Sequence, residues 1–539
     1  MLSEKFADWE KLFLFYLKRD WKRILLWLIL LTAFAGGFVS AFDIITEDQG
    51  LPAMYEIMQN PAMIAIIGDT PVEAASEYTL GAMYAHMMLL FTVVMSAIVS
   101  MMHVISHTRK EEDEGMTEYI SAFKIGRQAN SLAVIVETIF VNRLLGGLIS
   151  ALMLSFDYNA LTVEGTLLYA SSIAMSGIMG GAVALVMVQI FPSSSGATGA
   201  SLGIIGLLFL ARAMTDIINS DLTFLNPLGW TYLTNPFTEN NWHLLLYAVT
   251  FSLLAFVLAF VLESRRDMGT GYLPENKGKE RASRSLLSIP GLVMRLNRGI
   301  IISWLIGFIL LGIAYGSIYA DLQTFVESND LIASMFAADG VTIEESYTGI
   351  IMRVMVNLVA ILPVVLINKL FTEEKKLRLN QIFSTKVSRG KIYWTTVIIA
   401  LVSGILGMLL TTGSLGLFGR AVMEESSHLL EWADFFIIGF NEWPTVFFIT
   451  GLAAVLIGWL PQLNIFPYIF LTYNFFINYI GQLIDFPEWM KVITVQYWVP
   501  ILPMEDFNTT SFVVISVLSI FLMKVGYIGY NGRDLIEEG

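Results

Sequence analysis

Two stretches of the sequence place acids, bases and apolar side chains side by side over about eighteen positions: KEEDEGMTEYISAFKIGR at 110–127 and TEEKKLRLNQIFSTKVSR at 372–389. Glu111, Glu112 and Arg127 in the first stretch recur as Glu373, Glu374 and Arg389 in the second, each pair 262 positions apart. Ile120 and Phe123 interrupt the charge of the first copy, and Ile382 and Val387 that of the second. Apolar residues set among charges suit a short helix that seats its tip in a partner's groove while the charges fix its register. An insert of this length also exceeds what a simple connection between two helices needs. Both segments therefore read as docking points, with Asp113 and Glu114 against Lys375 and Lys376 making the two contacts unequal.

Other chemistry is missing from the sequence. The phosphate-cradling pattern G-x-x-x-x-G-K-[ST] fails at Gly278-Lys279, which has Leu273 where the first glycine belongs, and at Gly390-Lys391, which has Thr385 there. The chain is not expected to hydrolyse ATP and carries no cofactor site of its own. Its five histidines, His86, His103, His107, His243 and His428, form no HExxH motif and no helical ligand pair with a carboxylate, so no metal site is expected. No G-x-S-x-G elbow is present. With no cysteine in the chain, disulfides and thiol chemistry are excluded.

The elements that must carry the two segments follow from composition. A content of 55% hydrophobic and 14% charged residues, with a mean hydropathy of +0.66, is that of an integral membrane protein. Apolar runs long enough to span a core of about 30 Å lie near 21–42, 80–105, 129–156, 165–190, 197–218, 241–263, 298–320, 349–370, 391–419, 444–460, 464–485 and 511–530. They are too uniformly apolar for barrel strands. The expected fold is all-α, with about twelve transmembrane helices. Placing both termini inside puts 27 of the 32 Lys and Arg on one side, the cytoplasmic one under the positive-inside rule.

Landmarks recur in order along the chain. Trp27 and Trp304 open the first and seventh spans, Trp230 and Trp498 precede the sixth and twelfth, and Arg266-Asp267 and Arg533-Asp534 follow them. Such collinearity indicates two parallel six-helix repeats fused in one chain. The expected organisation is a first half at 1–263, a cytoplasmic linker at 264–297, and a second half at 298–539. Apolar residues Phe6, Trp9, Leu12, Phe13 and Tyr16, and again Leu286 to Leu296, read as interfacial helices leading into the first span of each half.

Charge inside a span is costly and marks partners or paths. Span 3 carries Glu137 and Arg143, where the repeat has Ile399 and Ile405; span 8 carries Arg353. These three are the candidate lining of a substrate path. Glu137 and Arg143 stand six residues apart and so point about 120° apart on a helix, which requires separate partners. Arg212 and Asp216 are spaced as a local salt bridge. Glycines 177, 180, 181, 199, 203, 404 and 407 read as close-packing positions.

The paired Glu-Glu and closing Arg of each segment, the Trp before each last span, the linker ESRRDMGTGYLP with GLVMRLNRGIIISWLIGFILLG after it, and NPAMIAIIG in the first outer loop carry a resemblance. Over essentially its full length the chain resembles the fused twelve-helix permeases of the ABC-2-type exporter class grouped as polyketide-antibiotic exporters. The resemblance implies a permease subunit in the bacterial cell membrane, moving amphipathic small molecules outward. It also implies two copies of a separate nucleotide-binding ATPase that bring ATP and Mg and dock on the two segments; no nucleic acid partner is implied. An ion- or proton-coupled secondary transporter, or an ABC transporter of lipid or envelope components, are the alternative readings.

Overall fold

The structure is a computed structural model that describes residues 2–46, 50–59, 61–218, 220–274, 280–320, 322–323, 341–423, 430–480 and 486–534. Every regular element among them is helical. In hydrocarbon each backbone N–H and C=O must be satisfied within the protein, and a helix does this inside one segment. The chain is an all-α integral membrane protein: eleven helices among the described residues are long and apolar enough to cross a membrane. The expected span at 464–485 appears as a helix of 15 residues, Phe466–Ile480, beyond which 481–485 lie outside the described residues.

The chain divides into two compact units, Met1–Gly278 and Lys279–Gly539. The first holds long helices α1 (Trp9–Gly36), α2 (Leu80–His107), α5 (Ala129–Leu154), α6 (Val163–Ile190), α7 (Ser194–Ile218) and α8 (His243–Arg265), with short helices α3 (Arg109–Asp113) and α4 (Met116–Ser121) in the first charged segment. The second holds α9 (Ile289–Ser317), α10 (Ile343–Lys375), α11 (Arg378–Phe383) in the second charged segment, α12 (Arg389–Val422), α13 (Trp432–Asn441), α14 (Trp443–Trp459), α15 (Phe466–Ile480) and α16 (Thr509–Gly532).

Several starts are written locally. Thr79, Thr162, Ser288 and Ser388 each accept a hydrogen bond from a backbone N–H of the first turn. Thr342 and Glu345 form a reciprocal capping box, which starts α10 six residues before the apolar run expected at 349. The approach segments are not separate interfacial helices. Trp9 to Tyr16 lie on the same continuous helix as the first span, because no glycine or proline interrupts it before Gly36. Ile289 to Leu296 likewise run straight into α9. The region before the tenth span, expected as loop, contains α13, which breaks at Glu442 where Trp443-Pro444 restarts the helix.

Small residues set the packing. A Cβ on Gly180 would sit 2.6 Å from the Ala97 carbonyl oxygen, and one on Gly181 would sit 2.9 Å from Thr138. Gly404 and Gly407 admit Pro363 and Phe308 in the same way. Gly199 and Gly203 differ: no atom lies within 4 Å of either Cβ position, so they are not close-packing sites within their unit.

Candidate functional site

The first charged segment is fastened to the end of α8. Arg266, just past that helix, donates through Nη1 and Nη2 to both carboxylate oxygens of Glu112 at 2.8 Å each. Arg109, itself 1% exposed, adds a bond to Glu112 at 2.9 Å and another to the Thr270 carbonyl. Arg127 closes the other side by donating to the carbonyls of Glu263 and Arg266. Glu111 faces α1, where Arg19 meets it at 2.7 Å and the Tyr16 hydroxyl donates to it at 3.1 Å.

The second segment repeats the arrangement. Arg533, just past α16, donates to both oxygens of Glu374 at 2.7 and 2.6 Å, and Arg389 donates to the Arg533 carbonyl. Glu373 pairs with Arg378 within the segment itself. The matched carboxylates therefore serve as internal struts.

What remains outward differs between the copies. Phe123 is 71% exposed and Tyr119 is 73% exposed, with Met116 beside them, whereas Ile120 is half-buried against the core of its unit. In the second copy Ile382 and Val387 are half-buried and pack on the core. Of the four apolar tips expected from sequence, only Phe123 projects. Asp113 is also engaged, accepting from the Ser194 backbone N–H at 2.7 Å, while Lys375 lies over the Phe371 ring.

The charges within spans take separate surroundings. Glu137 is fully buried and lies 3.2 Å from His103 of α2. Arg143 points elsewhere and lines a groove of about 1080 Å³ between α5, α6 and α8, together with Met175, Trp242, His243 and Phe256. The groove wall is mostly apolar, and Arg143 is exposed within it with no ion pair or hydrogen bond among the described residues. Arg353 is buried in the second unit 3.6 Å from Glu442, at the break between α13 and α14, and donates to the Val499 carbonyl. Asn357 and Gln496 complete that network. Arg212 and Asp216 form the expected i,i+4 pair at 2.9 Å, extended by Tyr232 and Thr223.

Sequence reasoning passed over three groups. Arg266 and Arg533 stand in the sequence as a repeated Arg-Asp dipeptide, but nothing local marks the repeated glutamates as their partners. Met116 and Tyr119 sit a turn before the recognised tips. His103 and His107 stand at i and i+4 on α2, the spacing that puts two side chains on one helix face, and Glu137 joins them only through tertiary packing.

Residues 286–531 match the family described as "Multidrug efflux system permease Rv1217c, C-terminal domain". Over 529 residues, 96% of this chain and 94% of the relative, the chain is 26% identical to the multidrug efflux system permease protein Rv1217c of Mycobacterium tuberculosis. These likenesses, with eleven helices among the described residues long and apolar enough to cross a membrane, support a multi-pass membrane permease.

Proposed function

We propose that this chain is the membrane-spanning subunit of an ATP-driven exporter that carries amphipathic small molecules, drugs or antibiotics among them, out of a bacterial cell. Two copies of a separate ATPase, bringing ATP and Mg, would dock on 108–128 and 370–391, with both termini on the cytoplasmic side where the basic residues concentrate. The name of the mycobacterial relative supports export of drugs. The observation that carries the reading is the way the first charged segment presents Met116, Tyr119 and Phe123 to solvent while Glu112, Arg109 and Arg127 tie its base to the end of α8. An exposed aromatic tip on a braced base is what a partner's groove requires, and the brace would transmit the partner's motion into a span. The groove at Arg143 supports an amphipathic cargo, since it offers a broad apolar wall and a single cation.

The test is reconstitution of the purified chain with an ATPase encoded beside it, following a fluorescent amphiphile across the membrane. Transport that needs ATP and the ATPase is expected. Transport driven by an ion gradient without the ATPase would overturn the reading in favour of a secondary carrier.

A further inference from the structure

Asp20, His107, His103 and Glu137 form a chain of polar groups across three helices of the first unit, near the end at which α2 enters the charged segment. The Nε2 atom of His107 lies 3.0 Å from Asp20 of α1, and its Nδ1 lies 2.8 Å from the His103 carbonyl oxygen. The two imidazole rings stand 4.2 Å apart. His103 Nε2 approaches Glu137 Oε2 at 3.2 Å, yet without hydrogen-bond geometry. Neither ring nitrogen of His103 and neither carboxylate oxygen of Glu137 has a hydrogen-bond partner among the described residues, although the two residues are 4% and 0% exposed. A buried carboxylate with no donor is costly, as is a buried imidazole with both nitrogens unsatisfied. Four unsatisfied buried atoms, two of them 3.2 Å apart, call for a positive centre beside them.

We propose that His103, His107 and Glu137 bind one divalent transition-metal ion of the zinc class. Each residue offers a ligand atom, and these atoms lie within 4.8 Å of one another. Ligands held about 2.1 Å from a tetrahedral Zn²⁺ stand about 3.4 Å apart, so the 3.2 Å contact already matches and the widest separation needs to close by at most about 1.4 Å. Two imidazoles and one carboxylate suit zinc, cobalt or nickel; calcium and magnesium prefer shells of oxygen. Asp20 behind His107 is the carboxylate that commonly orients a ligating imidazole. A doubly charged ion would also offset the buried charge of Glu137, whereas Asp20 already pairs with Arg19 at 2.8 Å. Beside His103 lies a cavity of about 20 Å³ lined by Ser100, Thr138 and Asn142, room for one water.

A plain His103–Glu137 ion pair accounts for the 3.2 Å contact but leaves His103 Nδ1 and Glu137 Oε1 without partners; His107, which already meets Asp20 through Nε2 and the His103 carbonyl through Nδ1, would exchange its Nδ1 contact for the ion. The site is single. At the positions 262 residues on stand Val365, Lys369 and Ile399, which cannot form such a site, so the stoichiometry is one ion per chain. The ion would tie α1, α2 and α5 together beneath the segment proposed to receive the ATPase, although the site stands independently of that reading.

The experiment uses the full chain purified in detergent, stripped with EDTA, titrated with Co²⁺ and followed by visible ligand-field absorption; Zn²⁺ retained after desalting is counted by elemental mass spectrometry. One ion per chain is expected, with His103→Gln, His107→Gln and Glu137→Gln each weakening binding by more than tenfold and Asp20→Asn by about tenfold. Variants are compared only where gel filtration shows a single species, and the parent titration stands by itself. A parent chain that retains no ion at micromolar free metal overturns the proposal and leaves a His–Glu pair. Binding unchanged in all four variants overturns it equally, by placing the ion elsewhere.

Discussion

Glu374 holds Arg533 through both carboxylate oxygens, at 2.7 and 2.6 Å, and so fastens the C-terminal end of α10 to the C-terminal end of α16, 159 residues away in sequence. Glu112 holds Arg266 in the same two-pronged way at 2.8 Å, fastening the end of α2 to the end of α8. Planar bidentate pairs resist both sliding and rotation. A force applied to either charged segment would therefore reach the last long helix of its unit.

Breaking one of these clamps should cost more than losing an exposed ion pair, because the Glu374 side chain is 1% exposed and Arg533 only 17%. Glu374→Ala is expected to lower stability by about 3 kcal/mol, since it leaves a largely buried guanidinium unpaired. The double exchange Glu374→Arg with Arg533→Glu should recover a good part of that loss. Thermal unfolding in detergent reads both, and a single variant as stable as the parent would show the clamp to be weak.

Aspartate at Tyr119 and Phe123 should release a co-purifying ATPase while leaving the amount of permease in the membrane unchanged, since both side chains are more than 70% exposed. Aspartate at Ile382 or Val387 should instead reduce the folded amount, because these residues pack on the core and a buried unpaired charge is costly. Pull-down and membrane quantification separate the two effects. Equal loss of ATPase without loss of protein at all four sites would place Ile382 and Val387 in the contact.

Arg143→Gln removes an exposed cation and should leave stability within about 0.5 kcal/mol. Its expected effect is on cargo: weaker stimulation of the ATPase by anionic amphiphiles than by neutral ones of the same size. Dose–response curves for matched pairs of compounds check this, and parallel shifts for both members would remove Arg143 from recognition.

The Arg353–Glu442 contact is buried on both sides. Glu442→Gln alone should destabilise the second unit by about 3 kcal/mol, whereas Arg353→Met with Glu442→Leu should come close to the parent, since an apolar pair of similar volume often replaces a buried ion pair without loss. Unfolding temperatures of the three proteins decide it.

The spans were legible because their signal is local: a run of apolar residues partitions into lipid whatever its neighbours are, and helix is the backbone's own answer to a dry solvent. Eleven such helices appear among the described residues, each over an apolar run of the sequence. Capping at Thr342 and the uninterrupted run from Trp9 also lay in the sequence, yet apolar content alone placed these boundaries several residues too late. Partner choice was another matter. Glu112 and Glu374 read as contacts for another protein because their arginines lie 154 and 159 residues on, beyond any local pattern. Gly180 and Gly199 look alike in sequence, and only the neighbouring helix makes the first a close-packing position. The 120° between Glu137 and Arg143 was fixed by helical geometry, so separate surroundings followed from the chain itself. That one side chain would meet His103 and the other an open apolar groove depended on which helices stand beside α5, and hydropathy carries no information about that, because every apolar helix face is equally content against lipid or protein.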